Sequence, residues 1–448
     1  MIGRRLKAAF AALTAPQERR SGVEAAGGGR RWSASGSQWL PSPQSSLLAA
    51  RGTVQSRASG AYVNAAYGQR ITEAWTAALV GGGGWQARSQ HSDPDTRRRL
   101  SAEFESLVQP LLPALARGLV RDGEAFCRLV PTDGGSLELR LLPSDQVDAT
   151  LTRDLGGGAR IIAGIEHDSE DRVVAYHILR EAPSSPLPGA HPFEAQRIPA
   201  SDILHVYDQQ FPGQIRGISW LSPVLLKLTD RDALSDALLV QAKCSAALTA
   251  FITSPEPDLP PSIAPDSYGE MELSPGAIHA LRPGEDVKFT DPPAASQSVD
   301  FMRSLDREIA AGAGLSYEML TGDLAEASYS SARVSLLEFR RRAEMLQQVL
   351  IVGQFLRPLW ARWISVQALA GAITADPESL AEYRSARFIA PGWSWIDPLK
   401  EANAEIRSME AGIRSRAEIV AARGRDLDEL DQEIAADRLR TADQEDAA

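Results

Sequence analysis

The chain has 448 residues, of which 44% are apolar and 23% charged, and its formal net charge is −11. That length accommodates several folded units. The acidic balance argues against a surface built to grip nucleic acid, because such binding rests on Lys and Arg neutralising phosphates. The two cysteines, Cys127 and Cys244, both lie in apolar surroundings, which excludes a disulfide scaffold and reads as buried reduced thiols.

Residues 1–52 are rich in Ala, Gly, Ser and Arg and read as a flexible basic arm that buries too little to fold alone. The first residues carry basic groups and a short apolar stretch that ends at Pro16 without a convincing cleavage site. The expectation is therefore a chain made in the cytoplasm without an export signal. No apolar run is long enough to predict a spanning helix.

Residues 53–221 predict an α+β domain. Helical spacing runs over 62–80 and stops at four glycines, 81–84. Trp85-Gln-Ala87 follows them rather than Gly-Lys-Ser/Thr, so the glycines read as a hinge and not a phosphate cradle. Residues 97–121 predict an amphipathic helix despite Pro110 and Pro113. Stretches 125–130, 137–142, 160–165, 173–179 and 203–207 predict strands of a mainly antiparallel sheet. His177 and His205 sit among strand apolars and read as core histidines rather than metal ligands. Asp122 and Glu124 fall in a turn, where capping and solvation account for them.

Ser222 and Pro223 offer an N-cap and a first helical residue for a helix over 222–251. The proline-rich segment 252–296 follows, with short strands predicted at 276–281 and 285–289; residues 251–300 hold nine acidic and two basic groups. A second helical segment lies within 297–319, its helical pattern stopping at Gly312 and Gly314. A polar loop, 320–331, then precedes one very long helix over 332–370. Leu336, Phe339, Ala343, Leu346 and Leu350 line a single face of it. At 1.5 Å per residue it would span roughly 55–60 Å. Pro358 lacks an amide donor and should kink it. Residues 371–399 predict a return strand that aims Trp393 and Trp395 at one face. Charged helices cover 400–440, with Ser415 and Glu418 spaced as a capping box, and 441–448 read as a frayed tail.

The sequence shows no Walker motif, no Gly-x-Ser-x-Gly elbow and no His-Glu-x-x-His, so no catalytic residue, metal ligand or cofactor is assigned. A long lever joined to a polar loop points to mechanics before catalysis.

One ordered set of short motifs is more specific than any of its parts. It comprises Asp122-Gly-Glu124, Gly164-Ile-Glu166 with Val174-Ala-Tyr-His177, Ile203-Leu-His-Val206 and Arg216-Gly-Ile-Ser219. It continues with Leu320-Thr-Gly-Asp323, Tyr329-Ser-Ser331 and Trp395-Ile-Asp-Pro-Leu-Lys400. In order and spacing this set resembles the portal proteins of lambda-type tailed phages, from about residue 55 to 435. The resemblance implies a homo-oligomeric ring, typically a dodecamer, at one capsid vertex of a virion. Double-stranded DNA would be packaged and ejected through it. The implied partners are the terminase large subunit, a head–tail adaptor and the capsid or scaffolding protein, with no membrane.

The resemblance also implies a division of the chain. Residues 53–221 would be the wing, 222–251 and 297–319 the stem helices, and 252–296 the clip. The tunnel loop would be 320–331, its lining Gly322, Asp323, Leu324, Ala325, Glu326, Ala327, Ser328, Tyr329, Ser330 and Ser331. Residues 332–370 would be the kinked helix with Pro358 at its bend, 371–399 the strand back to the wing and 400–440 the crown. In a ring, Asp323 and Glu326 would repel phosphate and keep the duplex mobile, while Lys227 and Lys243 on the stem would offer weak transient contacts. The alternative is a cellular helical scaffold or adaptor without a DNA-conduit role.

Overall fold

The computed structural model describes residues 43–446 apart from 133–134, 186–193, 247–249, 254–285, 290–294, 326–327, 374–375 and 395–396. The chain divides into two compact units, Met1–Ala49 and Ala50–Ala448. Of the first, only the opening turns of helix α1 (Pro43–Asn64) are described. The rest of the predicted arm, 1–42, lies outside the described residues. Its end at 52 needs correction, because 43–52 are already helical.

The second unit is α+β, as expected. Helix α2 (Ala66–Val80) buries Ile71, Trp75 and Leu79 on one face. Strand β1 (Gln86–Ser89) follows the glycines and pairs antiparallel with β12 (Ala386–Ile389), so the segment after the hinge belongs to a small sheet. The single helix expected over 97–121 is two helices, α3 (Pro94–Val108) and α4 (Leu112–Asp122). Pro110 and Pro113 explain the break: proline disrupts a helix interior but is tolerated in a first turn, where Pro113 sits.

Eight strands then build two sheets. Strands β2 (Glu124–Pro131), β3 (Leu137–Leu142) and β9 (Ile203–Tyr207) form a three-stranded sheet with β2 central. Strands β4 (Arg153–Gly156), β5 (Ala159–Ile162), β6 (Ile165–His167), β7 (Val173–Leu179) and β8 (Ala195–Pro199) form a five-stranded meander. Every pairing is antiparallel. Residues 160–165, expected as one strand, turn at Ala163 and Gly164, both with positive φ, so β5 and β6 are separate.

Helix α5 (Leu225–Ala246) is shorter than the expected 222–251. Residues 219–224 form turns, with the Ser222 amide donating to the Ser219 carbonyl, so Ser222 does not open the helix. At its far end the chain passes into strand β10 (Ala250–Thr253), where Ile252 and Thr253 suit a strand better than a helix. Strand β10 pairs antiparallel with β11 (Asp286–Phe289). The strand expected at 276–281 lies outside the described residues.

Helix α6 (Ala295–Ala313) returns antiparallel to α5: Lys227 meets Glu308 at 3.3 Å and Arg231 meets Asp306 at 3.1 Å. Short helix α7 (Tyr317–Thr321) leads to α8 (Tyr329–Leu346), a π-helical stretch (Gln347–Leu356) and α9 (Arg357–Leu369). Helix α10 (Pro377–Arg384) precedes β12. Helices α11 (Pro398–Glu410), α12 (Arg416–Ala422) and α13 (Leu427–Asp446) close the chain. The capping box expected at Ser415 and Glu418 is present, each side chain bonding the other's amide. Residues 441–446 continue α13 rather than forming a separate tail.

One large apolar core joins α2, α3, α4, the three-stranded sheet, the start of α5, α6 and the long helix. Phe104, Trp360, Trp363 and Phe388 gather in it with edge and tilted ring contacts. A smaller core between the sheets holds Phe126, Val147, Ile165, Tyr176, Ile178, Ile198 and Ile203. Cys127 is buried and free, and burial pushes its thiol up to about 12, the inert thiol expected. Cys244 lies where side chains are not described.

Candidate functional site

The loop and long helix singled out in the sequence are adjacent elements with defined ends. Helix α7 takes Leu320 and Thr321, and Gly322 caps it at φ +76. Ser328 caps α8 through its hydroxyl, which accepts from the Ser331 amide at 3.1 Å, so Tyr329, Ser330 and Ser331 are helical. The expected loop 320–331 is thereby shortened at both ends to 322–328. A strong capping serine four residues before position 332 is the physical reason. Glu326 and Ala327 lie outside the described residues.

Within the loop, Asp323 organises its own backbone. Its carboxylate accepts from the Ala325 amide at 3.0 Å and from the Tyr317 hydroxyl at 3.3 Å. The Ala325 amide is the main cause of its lowered pKa, so Asp323 is negatively charged at neutral pH. Leu324 and Tyr329 are exposed beside it.

The long helix buries Phe339, Ala343, Leu346 and Leu350 in the main core, the stripe expected from their spacing. It is fastened by polar contacts as well. Gln347 donates to the Ala78 carbonyl of α2 at 2.7 Å, and Gln354 accepts from the Tyr207 amide of β9 at 2.9 Å. Arg340 donates to the Ser394 carbonyl and lies over the Trp393 ring. The loop is thus carried by a helix keyed to the α2 layer, the three-stranded sheet and the segment before α11.

Pro358 sits in the first turn of α9, directly after the π-helical residues. In that stretch the Arg357 amide reaches back five residues to the Val352 carbonyl. A widened turn of this kind relieves the clash a proline ring makes with the carbonyl four residues before it.

On the stem, Lys227 is paired with Glu308, and Lys243 is exposed. These two do not converge on one spot: they stand sixteen positions apart along α5, roughly 24 Å at helical rise. Trp393 packs against the main core, whereas Trp395 lies outside the described residues. Among the described residues, no group of three or more His, Cys, Asp or Glu is placed to hold a metal, and no helix is long and apolar enough to cross a membrane.

The sequence reading missed a buried ionic cluster. Glu124 does not rest in a solvated turn: its side chain is fully buried and Arg216 forks onto it, with Nη2–Oε1 at 2.6 Å. Arg51 from α1 also pairs with Glu124, His205 Nε2 lies 3.1 Å from it, and the Gly217 amide donates to it at 2.9 Å. Burial alone would raise this carboxyl, yet the Arg216 and Arg51 guanidiniums and His205 hold it well below the usual carboxylate range. Asp122 is likewise buried and held by Nε and Nη2 of Arg121, each at 2.7 Å. A second cluster, nearer the surface, joins the mostly covered Glu166 and His177 to the half-exposed Arg197.

Several motif residues meet in these clusters. Glu124, Arg216 and His205 come from three of the short motifs, and Glu166 with His177 from another pair. A usable signal was present: Glu124 and Arg216 are opposite charges, each beside a glycine and bordered by apolar residues.

The model of the family "Phage portal protein, lambda family" matches residues 30–347. A probable portal protein of Halomonas phage phiHAP-1 is 26% identical over 417 residues, covering 87% of this chain and 80% of that one. Portal protein B of Escherichia phage lambda is 23% identical over 307 residues, covering 60% of this chain and 56% of its own length. Among solved structures, a chain from the neck of an empty GTA particle superposes with a TM-score of 0.50 at 17% identity, covering 86% of this chain and 95% of that one. That likeness concerns the fold. With the family matched over more than half its length, this chain belongs to the lambda family of phage portal proteins.

Proposed function

We propose that twelve copies of this chain form a ring at one vertex of a capsid, through which double-stranded DNA is packaged and ejected. The observation that carries this reading is the family match across 30–347, which includes strands β2–β11, the paired helices α5 and α6, the loop and α8. In this reading the proline-rich segment 252–296 docks the terminase large subunit and later the head–tail adaptor, and the sheet-bearing region faces the capsid or scaffolding protein. The protein acts as a conduit rather than an enzyme.

The loop 322–328 is the constriction, and the long helix carries its movement. A conduit must exclude leakage without holding the duplex, and an ionised Asp323 serves that end by repelling phosphate. The lysines keep a secondary part: Lys227 is engaged by Glu308, which leaves Lys243 as the better candidate for a transient phosphate contact. A cellular scaffold is not favoured, because the matched family is one of portal proteins.

The test is to shorten the loop by deleting Leu324 and Ala325 and to assay packaging. Rings should assemble, while retention of full-length DNA falls. Rings of normal mass that package and retain DNA as before would contradict the role given to the loop.

A further inference from the structure

A pocket of about 330 Å³ opens between the five-stranded meander and the chain that follows β9. Its walls are largely apolar or flat. Ile165, Val173 and Ile215 supply aliphatic surface, and Tyr176, His205 and Tyr207 supply rings. That volume suits one small ring or one side chain, and apolar walls with a few polar points are the usual make-up of a ligand site.

Most polar groups around the pocket are spent within the fold. The Tyr207 hydroxyl donates to the Gln214 carbonyl at 2.8 Å. The Gln214 side chain accepts from the Gln210 amide and donates to the Arg216 carbonyl. His205 Nε2 faces Glu124, which Arg51 and Arg216 also hold. At the rim Arg160 and Asp171 pair at 2.7 Å, so the two charges that line the pocket cancel.

Two groups are left over. Tyr176 and His167 both line the pocket and are each 6% exposed. Tyr176 pairs opposite Ile165 in the meander, two positions before His167, so the two are neighbours on one face. His167 Nδ1 has no hydrogen-bond partner, although the Ile165 carbonyl is close. The Tyr176 hydroxyl makes no hydrogen bond with the described residues. Burial, first, and the nearby Arg160 lower the His167 pKa against the pull of the Ile165 carbonyl, Asp171 and Asp168, so the ring is neutral at pH 7. A neutral imidazole has one donor and one acceptor, and a phenol hydroxyl is both. Buried polar groups without partners are uncommon and costly, so two of them in one pocket mark a place where something else completes the hydrogen bonding.

We propose that this pocket binds an uncharged carboxamide carried on a flat or apolar body, with the Tyr176 hydroxyl and the His167 ring meeting its polar atoms. The class follows from the lining. A carboxylate or an ammonium group would give up hydration in a pocket whose own charges already cancel. A purely apolar ligand would leave Tyr176 and His167 without partners. A carboxamide donates and accepts in one plane and carries no charge. Its source is either a free ring-bearing amide or the Gln or Asn side chain of another protein.

The experiment titrates the full-length chain by ligand-detected NMR with three probes of one shape: benzamide, benzoate and benzamidinium. Benzamide should bind with a Kd of about 1 mM or tighter, the scale for a ligand this small, and the two ions about tenfold more weakly. Tyr176→Phe removes only the hydroxyl, and His167→Leu removes the ring nitrogens. Each should weaken benzamide about tenfold while thermal melting shows the fold retained. Should His167→Leu fail to fold, Tyr176→Phe decides alone. Benzoate or benzamidinium binding best overturns the class of ligand, and benzamide affinity unchanged in Tyr176→Phe overturns the site. Benzamide that does not bind the wild-type chain leaves water as the partner of both groups and overturns the proposal outright. N-acetylglutamine methylamide separates the sources. Tighter binding than benzamide assigns the pocket to a protein side chain, weaker binding to a free amide, and either order upholds the site.

Discussion

Arg216 and Glu124, ninety-two positions apart in the chain, meet as a fully buried fork whose shortest contact is 2.6 Å. Arg216 also donates to the Ala163 carbonyl at 2.8 Å and the Ser144 carbonyl at 3.0 Å. One side chain therefore ties β2, the loop after β9, the β5–β6 turn and the segment after β3. Replacing Arg216 by Met would leave Glu124 buried without the largest of its compensating charges. A broken buried pair costs about 3–5 kcal/mol. The urea midpoint of Arg216→Met should fall accordingly, and a midpoint within error of wild type would contradict this role.

The backbone around the same pair leaves no room for a methyl group. Gly123 has φ +87, and a Cβ there would lie 2.0 Å from the Ile218 carbonyl carbon; at Gly217 it would lie 2.1 Å from the Gly123 carbonyl oxygen. Gly123→Ala should therefore give little soluble folded protein. Gly118, within α4, is the contrast, since its nearest neighbour would be 3.9 Å from the new atom. Gly118→Ala should stabilise by up to about 1 kcal/mol, the usual helical difference between the two residues. Equal yields and midpoints for the two variants would contradict the packing argument.

Acid should weaken the fold in two steps. His205 is stacked between Phe126 and Tyr207 and faces Glu124, Arg216 and Tyr176. Its pKa is lowered, by burial first and also by the two arginines, against the pull of Glu124. A base with a lowered folded pKa contributes stability that is full above its unfolded value, about 6.5, and is lost as pH falls toward the folded one. Glu124, whose folded pKa is also lowered, contributes stability that is full above about 4.3 and lost below. Melting temperature should decline from about pH 6.5 downward, and His205→Gln should flatten the part above pH 5. An unchanged slope in that variant would assign the decline elsewhere.

The π-helical stretch before Pro358 bears on movement of the loop. Pro358→Ala restores an amide able to reach the Gln354 carbonyl and so favours α geometry in place of the wider turn. If that stretch lets the long helix bend, rings of the variant should assemble but retain less DNA. Retention equal to wild type would show that the bend has no part in packaging.

Much of this was legible because it is local. The stripe Phe339, Ala343, Leu346 and Leu350 follows from helical period, and the Ser415–Glu418 cap from two residues three apart. Boundaries were less legible where a cap competes with periodicity. Ser328 opens α8 before the apolar pattern starts, and Pro110 with Pro113 splits a helix whose amphipathic spacing looked continuous. The Glu124 cluster was not legible from any local window. Its meaning depends on Arg51, His205 and Arg216 arriving from three distant segments, and a carboxylate next to glycine reads as a turn until they do.

The central claim is a ring, and the mass of the purified full-length chain in solution tests it most directly. The account predicts a dominant species near twelve times 48.3 kDa. A chain that stays at 48.3 kDa across concentrations where portal rings should form would contradict it.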